Sequence, residues 1–127
     1  PAQALIARQV AALRALVRGQ KELSTSLRKL MKSGLWRKRV KNGLAHQVAQ
    51  QKLLLSALND VITQSDLKSM EAKAGELAMR IAITALKKKE LKKAQKKQAE
   101  ALALLENSLL ALTEQMQNAL AAKARLQ

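Results

Sequence analysis

From Leu67 to Leu126 one pattern runs without a break. Leu67, Met70, Ala74, Leu77, Ile81, Thr84, Lys88, Leu91, Gln95, Gln98, Leu102, Leu105, Leu109, Leu112, Met116, Ala119, Lys123 and Leu126 fall at alternating intervals of three and four. Such spacing places all of them along one side of an α-helix and is the mark of a coiled-coil seam. After Gly75 the chain contains no Gly or Pro, the residues that most readily end a helix. A single helix over this stretch would be on the order of 90 Å long at ~1.5 Å per residue. The seam is apolar at both ends and polar in the middle, at Thr84, Lys88, Gln95 and Gln98. Met79, Ile83 and Leu86 form a second stripe just before that zone.

The rest of the chain agrees with an all-α fold. In residues 2–33 the positions Ala2, Ile6, Gln9, Leu13, Leu16, Gln20, Leu23, Leu27 and Leu30 repeat the same alternation, with Gln9 and Gln20 as polar interruptions. Val10, Val17 and Met31 widen that stripe, so more than one partner helix is expected. Gly19 weakens the middle of this helix by up to ~1 kcal/mol relative to Ala. Lys32-Ser33-Gly34 reads as its end. A second helix spans about 36–63, with Leu44, Val48, Leu55, Leu58 and Ile62 on one side, joined by Leu54 and Val61. Its first residues, Leu35 to Asn42, read either as a loop or as opening helical turns. Ser65-Asp66 is expected to cap a third helix over 66–126.

Aromatic residues amount to 1% of the 127 residues, and Trp36 is the one Trp. Packing therefore rests on Leu, Ala, Val, Ile and Met, which suits narrow seams between helices. One domain, residues 1–127, is expected. Two architectures fit. In the first, the long helix stays intact in a hairpin or bundle of long antiparallel helices. In the second, the chain folds back near Lys87–Gln98 into a compact four-helix bundle. The lack of turn residues in that stretch favours the first.

Composition restricts function. Without Cys there is no disulfide, thiol or zinc–thiolate chemistry. No apolar run approaches the ~18 residues that cross a membrane, and no secretory signal is visible, so an intracellular, cytoplasmic setting is expected. His46 lacks an acidic partner at helical spacing, no phosphate-cradling glycine loop occurs, and neither a catalytic group, a metal site nor a cofactor is expected.

Charge is the positive functional signal. The formal net charge is +15, and it is unevenly placed. Residues 1–43 hold eleven basic residues and one acid, Glu22. Residues 44–86 are neutral, residues 87–98 carry seven Lys and Glu90, and residues 99–127 are slightly acidic. Like charges at neighbouring helix positions repel. A solvated face is one reading of the lysine run; an anionic surface that relieves the repulsion is the other. Arg37, Lys38, Arg39, Lys41, Lys87, Lys88, Lys89, Lys92, Lys93, Lys96 and Lys97 are the candidate anion-binding residues. Trp36 is either a membrane-interface anchor, a phosphate contact, or a plug between helices. The candidate partners are an anionic membrane, nucleic acid held through its phosphates, or an acidic protein, together with partner helices or further copies of the chain.

One segment has a family likeness. Gly75 and the run Arg80-Ile81-Ala82-Ile83-Thr84-Ala85-Leu86-Lys87-Lys88-Lys89 resemble the second core helix of the ESCRT membrane-scission subunits, the charged multivesicular body proteins, and of their bacterial phage-shock relatives. The resemblance covers about residues 53–112. It implies a basic helical hairpin with Leu53–Ala74 as first arm and Gly75 near the turn, and polymerisation on anionic membranes. Among the departures from it, a basic helix precedes the matched region, no acidic C-terminal regulatory region is read, and the heptad runs straight through Gly75.

Overall fold

The computed structural model describes residues 2–33 and 37–126. Four helices follow one another: α1 (Ala2–Ser33), α2 (Arg37–Gln64), α3 (Met70–Lys87) and α4 (Leu91–Leu126). α1 packs on α2 and α4, and α3 packs on the same two helices. Neighbours run antiparallel, as the cross-contacts require. Gln9 Nε2 donates to the Ser65 carbonyl at 2.6 Å, Gly43 lies under Leu30, Asn59 Nδ2 donates to Glu76 at 3.0 Å, and the Ser69 and Ser108 hydroxyls meet at 2.9 Å. The molecule is thus an up-down-up-down four-helix bundle with a long C-terminal helix, the type built by short connections between successive helices.

α1 follows its sequence pattern closely. Every described seam position from Ile6 to Leu27 is buried, the two glutamines included, and Leu30 is half-buried. Gly19 has a packing reason: a Cβ there would stand 2.7 Å from Leu54 Cδ2, so the missing side chain lets α2 come close. α2 starts at Arg37 and runs through Gly43, so the basic stretch is helix from Arg37 on, while Leu35 and Trp36 lie outside the described residues.

The unbroken helix over 66–126 is corrected. It ends at Lys87, and Lys88, Lys89 and Glu90 turn the chain back. Lys89 has φ of 61°. Its N–H donates to Leu86 O at 3.1 Å, and the Glu90 N–H donates to Ala85 O at 2.8 Å. Those two bonds are the helix-ending Schellman arrangement, which usually has Gly in the left-handed position. Here a lysine takes it, at a cost of ~1 kcal/mol. Packing of Leu91 and Ala94 beside Leu86 and Ala85 outweighs that cost.

The expected Ser65-Asp66 cap is corrected as well. Asp66 has φ of 49°, and Leu67 N–H donates to Ile62 O at 3.1 Å, so the pair closes α2 with a left-handed residue and the longer of the two helix-ending bonds. Buried Leu67 then plugs the end of the core. The cap of α3 is Ser69, whose side chain accepts from the Ala72 N–H at 3.1 Å. Gly75, which the family likeness put near a turn, lies inside α3 between Leu58, Leu104 and Leu105.

With the helix broken, α3 and α4 no longer share one phase. α4 buries Ala94, Gln98, Ala101, Leu105, Ser108 and Leu112. α3 turns the Met79–Ile83–Leu86 stripe inward with Ala72, Gly75, Ala78, Ala82 and Ala85. The expected seam residues Met70 and Leu77 are left 86% and 60% exposed. Small side chains on the buried face let α2 and α4 approach α3 closely. Past Met116 no residue of α4 joins the core, and residues 121–126 are exposed.

If Lys89 carries the turn, Lys89→Gly relieves backbone strain and raises stability by about 0.5–1 kcal/mol. Thermal unfolding should show a midpoint a few degrees higher. A continuous helix would respond with the opposite sign, because Gly in a helix interior is destabilising.

Candidate anion-binding pole

Alternation of helix direction decides where the charge goes. The α1–α2 connection and the α3–α4 turn lie at the same end of an up-down-up-down bundle. Leu27 of α1, Leu44 of α2, Leu86 of α3 and Ala94 of α4 share one small apolar cluster there. The two basic zones, far apart in sequence, therefore meet at one pole. Residues 28–41 and 87–97 contain fourteen of the chain's 24 basic residues and one of its nine acids. The remaining ten basic and eight acidic residues nearly balance over the rest of the molecule.

The candidate residues distribute as follows. Lys41 is exposed on α2, Lys87 ends α3, and Lys88 and Lys89 form the exposed turn. Lys92, Lys93 and Lys96 are exposed on α4, while Lys97 is half-buried. Arg37, Lys38 and Arg39 form the backbone of the first turn of α2; their side chains lie outside the described residues, as does Trp36 entirely. Arg28, Lys29 and Lys32 of α1 also project, exposed, at this pole. They were missed as site residues because only the α1–α2 hairpin places them beside the start of α2.

Internal neutralisation is slight. Among the described residues two ion pairs form, Lys97 Nζ to Glu100 at 2.9 Å and Lys93 Nζ to Glu90 at 3.9 Å. Exposed pairs of this kind contribute 0 to ~1 kcal/mol. Helix ends add to the field. α2 and α4 begin at the pole, and neither has an acid in its first turn. Lys92 and Lys93 crowd the positive end of the α4 dipole, an arrangement that favours an external anion. The ends of α1 and α3 meet Lys32 and Lys87, which suit their negative dipole ends.

Beside the pole, an open recess between α1 and α2 brings together Glu22, Ser26 and His46. All three are exposed, without the burial that tunes a nucleophile and its base. Among the described residues no group of three or more His, Cys, Asp or Glu side chains is placed to hold a metal ion. No described helix is long and apolar enough to cross a membrane. Comparison with protein-family models, with curated proteins and with solved structures returned no match.

Crowded like charge at one end predicts a stability that depends on screening. Between about 0.01 M and about 0.1 M salt the Debye length falls from about 30 Å to about 10 Å, and the thermal midpoint should rise. A Lys92→Glu, Lys96→Glu variant, which supplies carboxylates near the start of α4, should melt higher at low salt and respond less to added NaCl. Equal salt responses in the two proteins would contradict a self-repelling pole.

Proposed function

We propose that this chain is a non-catalytic helical scaffold that self-associates and docks end-on, by its cationic pole, on an anionic membrane. The observation that carries the reading is the convergence of residues 28–41 and 87–97 on one end of the bundle, with two internal ion pairs to offset them among the described residues. A Lys or Arg near an anionic lipid surface contributes about 1 kcal/mol. If about half of the fourteen engage at once, the gain is about 7 kcal/mol, which corresponds to a dissociation constant near ~10 µM. The affinity is reversible and falls steeply with salt.

The end-on placement favours a flat partner. A duplex nucleic acid gains most from cations spread along the length of a protein face, whereas these are gathered at a tip. In sequence, Leu35 and Trp36 stand immediately before the basic start of α2, and Trp next to cations suits a membrane interface. The likeness of residues 53–112 to the ESCRT scission subunits points the same way. The setting that goes with this reading is the cytoplasmic leaflet, where anionic lipids attract basic segments. For self-association, exposed apolar side chains are available on α3 at Met70 and Leu77, on α2 at Leu53 and on α4 at Leu110, Leu120 and Leu126.

Co-sedimentation with vesicles tests the reading. Wild-type chain should pellet with phosphatidylcholine vesicles containing about a third phosphatidylserine and remain in the supernatant with phosphatidylcholine alone. A Lys92→Glu, Lys93→Glu, Lys96→Glu variant should lose at least about tenfold in affinity, given about 1 kcal/mol per cation. Equal pelleting on neutral vesicles would end the proposal. Tighter binding to duplex DNA than to anionic vesicles at the same salt would transfer the pole to nucleic acid, as a sequence-tolerant phosphate binder.

A further inference from the structure

The core of this bundle is in two pieces. The larger apolar cluster includes Leu13, Leu16, Leu58, Met79, Ala101 and Leu105. The smaller one, at the basic pole, consists of Leu27, Leu44, Ala85, Leu86 and Ala94, with partly buried neighbours around it. Along three of the helices, fully or nearly fully buried glutamines separate the two. Gln20 falls between Leu16 and Leu27 on α1, Gln47 and Gln51 between Leu44 and Leu58 on α2, and Gln98 between Ala94 and Ala101 on α4.

These glutamines bond to one another across the bundle. Gln20 and Gln51 exchange amide hydrogen bonds of 3.1 and 2.8 Å. Gln98 Nε2 donates to Gln47 Oε1 at 3.0 Å, and Gln47 Nε2 donates to the Leu23 carbonyl at 3.1 Å. The layer is not saturated: Ser24 Oγ and Gln98 Oε1 are buried without a protein partner. Opening here costs less than opening through leucines, because water replaces the amide bonds one for one and also reaches the unpaired oxygens.

Three forces act to open the polar end. Its apolar cluster is small, with Leu27 and Leu86 as its two fully buried leucines, and the charge around it repels. The helices that start there, α2 and α4, have no acid in their first turns. Nothing comparable acts on the larger cluster, where basic and acidic residues nearly balance.

We propose that the basic pole is a separately opening cap hinged on the glutamine layer, and that a multivalent anion closes it. The cap comprises the end of α1 from about Leu23, α2 as far as Gln47, the last turns of α3, and α4 as far as Gln98. Anions that bind the closed cap relieve its repulsion and shift the equilibrium toward the ordered form. Docking and local folding are then one event. The second half of this inference rests on the membrane reading given above; the first half does not.

Native-state hydrogen exchange on the full chain separates the two halves. At low salt, amides of the cap on all four helices should share one opening equilibrium, at least about tenfold more frequent than that of the larger cluster, with a step in protection at the glutamine layer. Added salt should close the cap about tenfold relative to the larger cluster, and phosphatidylserine vesicles should do so at low salt. A Gln20→Leu, Gln51→Leu variant should merge the two levels of protection into one. If that variant does not fold, Lys92→Glu with Lys96→Glu should raise cap protection in the absence of added anion. A smooth gradient of protection running inward along each helix would mean ordinary fraying and overturn the cap. A step that salt leaves unchanged, or cap amides that lose protection on vesicles, would overturn closure by anions. Failure of the vesicles to bind at all would remove the membrane reading, and the step in protection at the glutamine layer would still decide whether the cap exists.

Discussion

The fold depends on one reversal, at Lys88–Glu90. Had α3 continued, residues 88–126 would have extended as helix beyond α1 and α2, with nothing in the chain to cover them. Instead two backbone hydrogen bonds and a lysine in the left-handed region send α4 back along the bundle. The strain at Lys89 is small beside what the reversal permits: Leu105, Leu112 and Ala101 reach α1 and α3, and Leu86 gains Leu91 as a neighbour. A local penalty of this size is easily exceeded by burial of even one leucine.

Charge placement follows from topology. In a bundle whose helices alternate in direction, the first and third connections fall at one end and the second at the other. The chain puts its lysines and arginines around the first and third, and Asp66, Lys68 and Glu71 around the second. An insertion that reversed one helix would scatter the cations without changing the composition. Function in this reading is therefore a property of helix order as much as of the residues themselves.

Much of this was legible in the sequence, and the failures have physical causes. α1 was read to its ends, with each described seam position from Ile6 to Leu27 buried, because leucine spacing there is strong and Lys32-Ser33-Gly34 signals its end. The fold-back near Lys87–Gln98 was the disfavoured of two readings, and Ser65-Asp66 was taken as a helix start, because Asp66 and Lys89 occupy positions where Gly is usual. Asp66 also resembles a helix-start residue, and that competing role disguised the turn. The phase of α3 was misjudged because the helix carries two stripes of similar residues, and Met70 and Leu77, which continue the α4 spacing, are on the one left outside. Gln47 and Gln51 stand at three-four spacing from Leu44 and Leu54, a signal present in the sequence but masked by their polarity. The basic zones were visible as segments; that they meet required the hairpins.

The separation of charge has a consequence for encounters in solution. A body with its cations at one tip and a nearly neutral remainder has a large electric dipole. Near a negative surface it experiences a torque as well as an attraction, so molecules arrive tip-first before any contact is made. Orientation, usually the slow part of finding a partner, is then accomplished by the field during approach, and the association rate becomes sensitive to ionic strength in its own right.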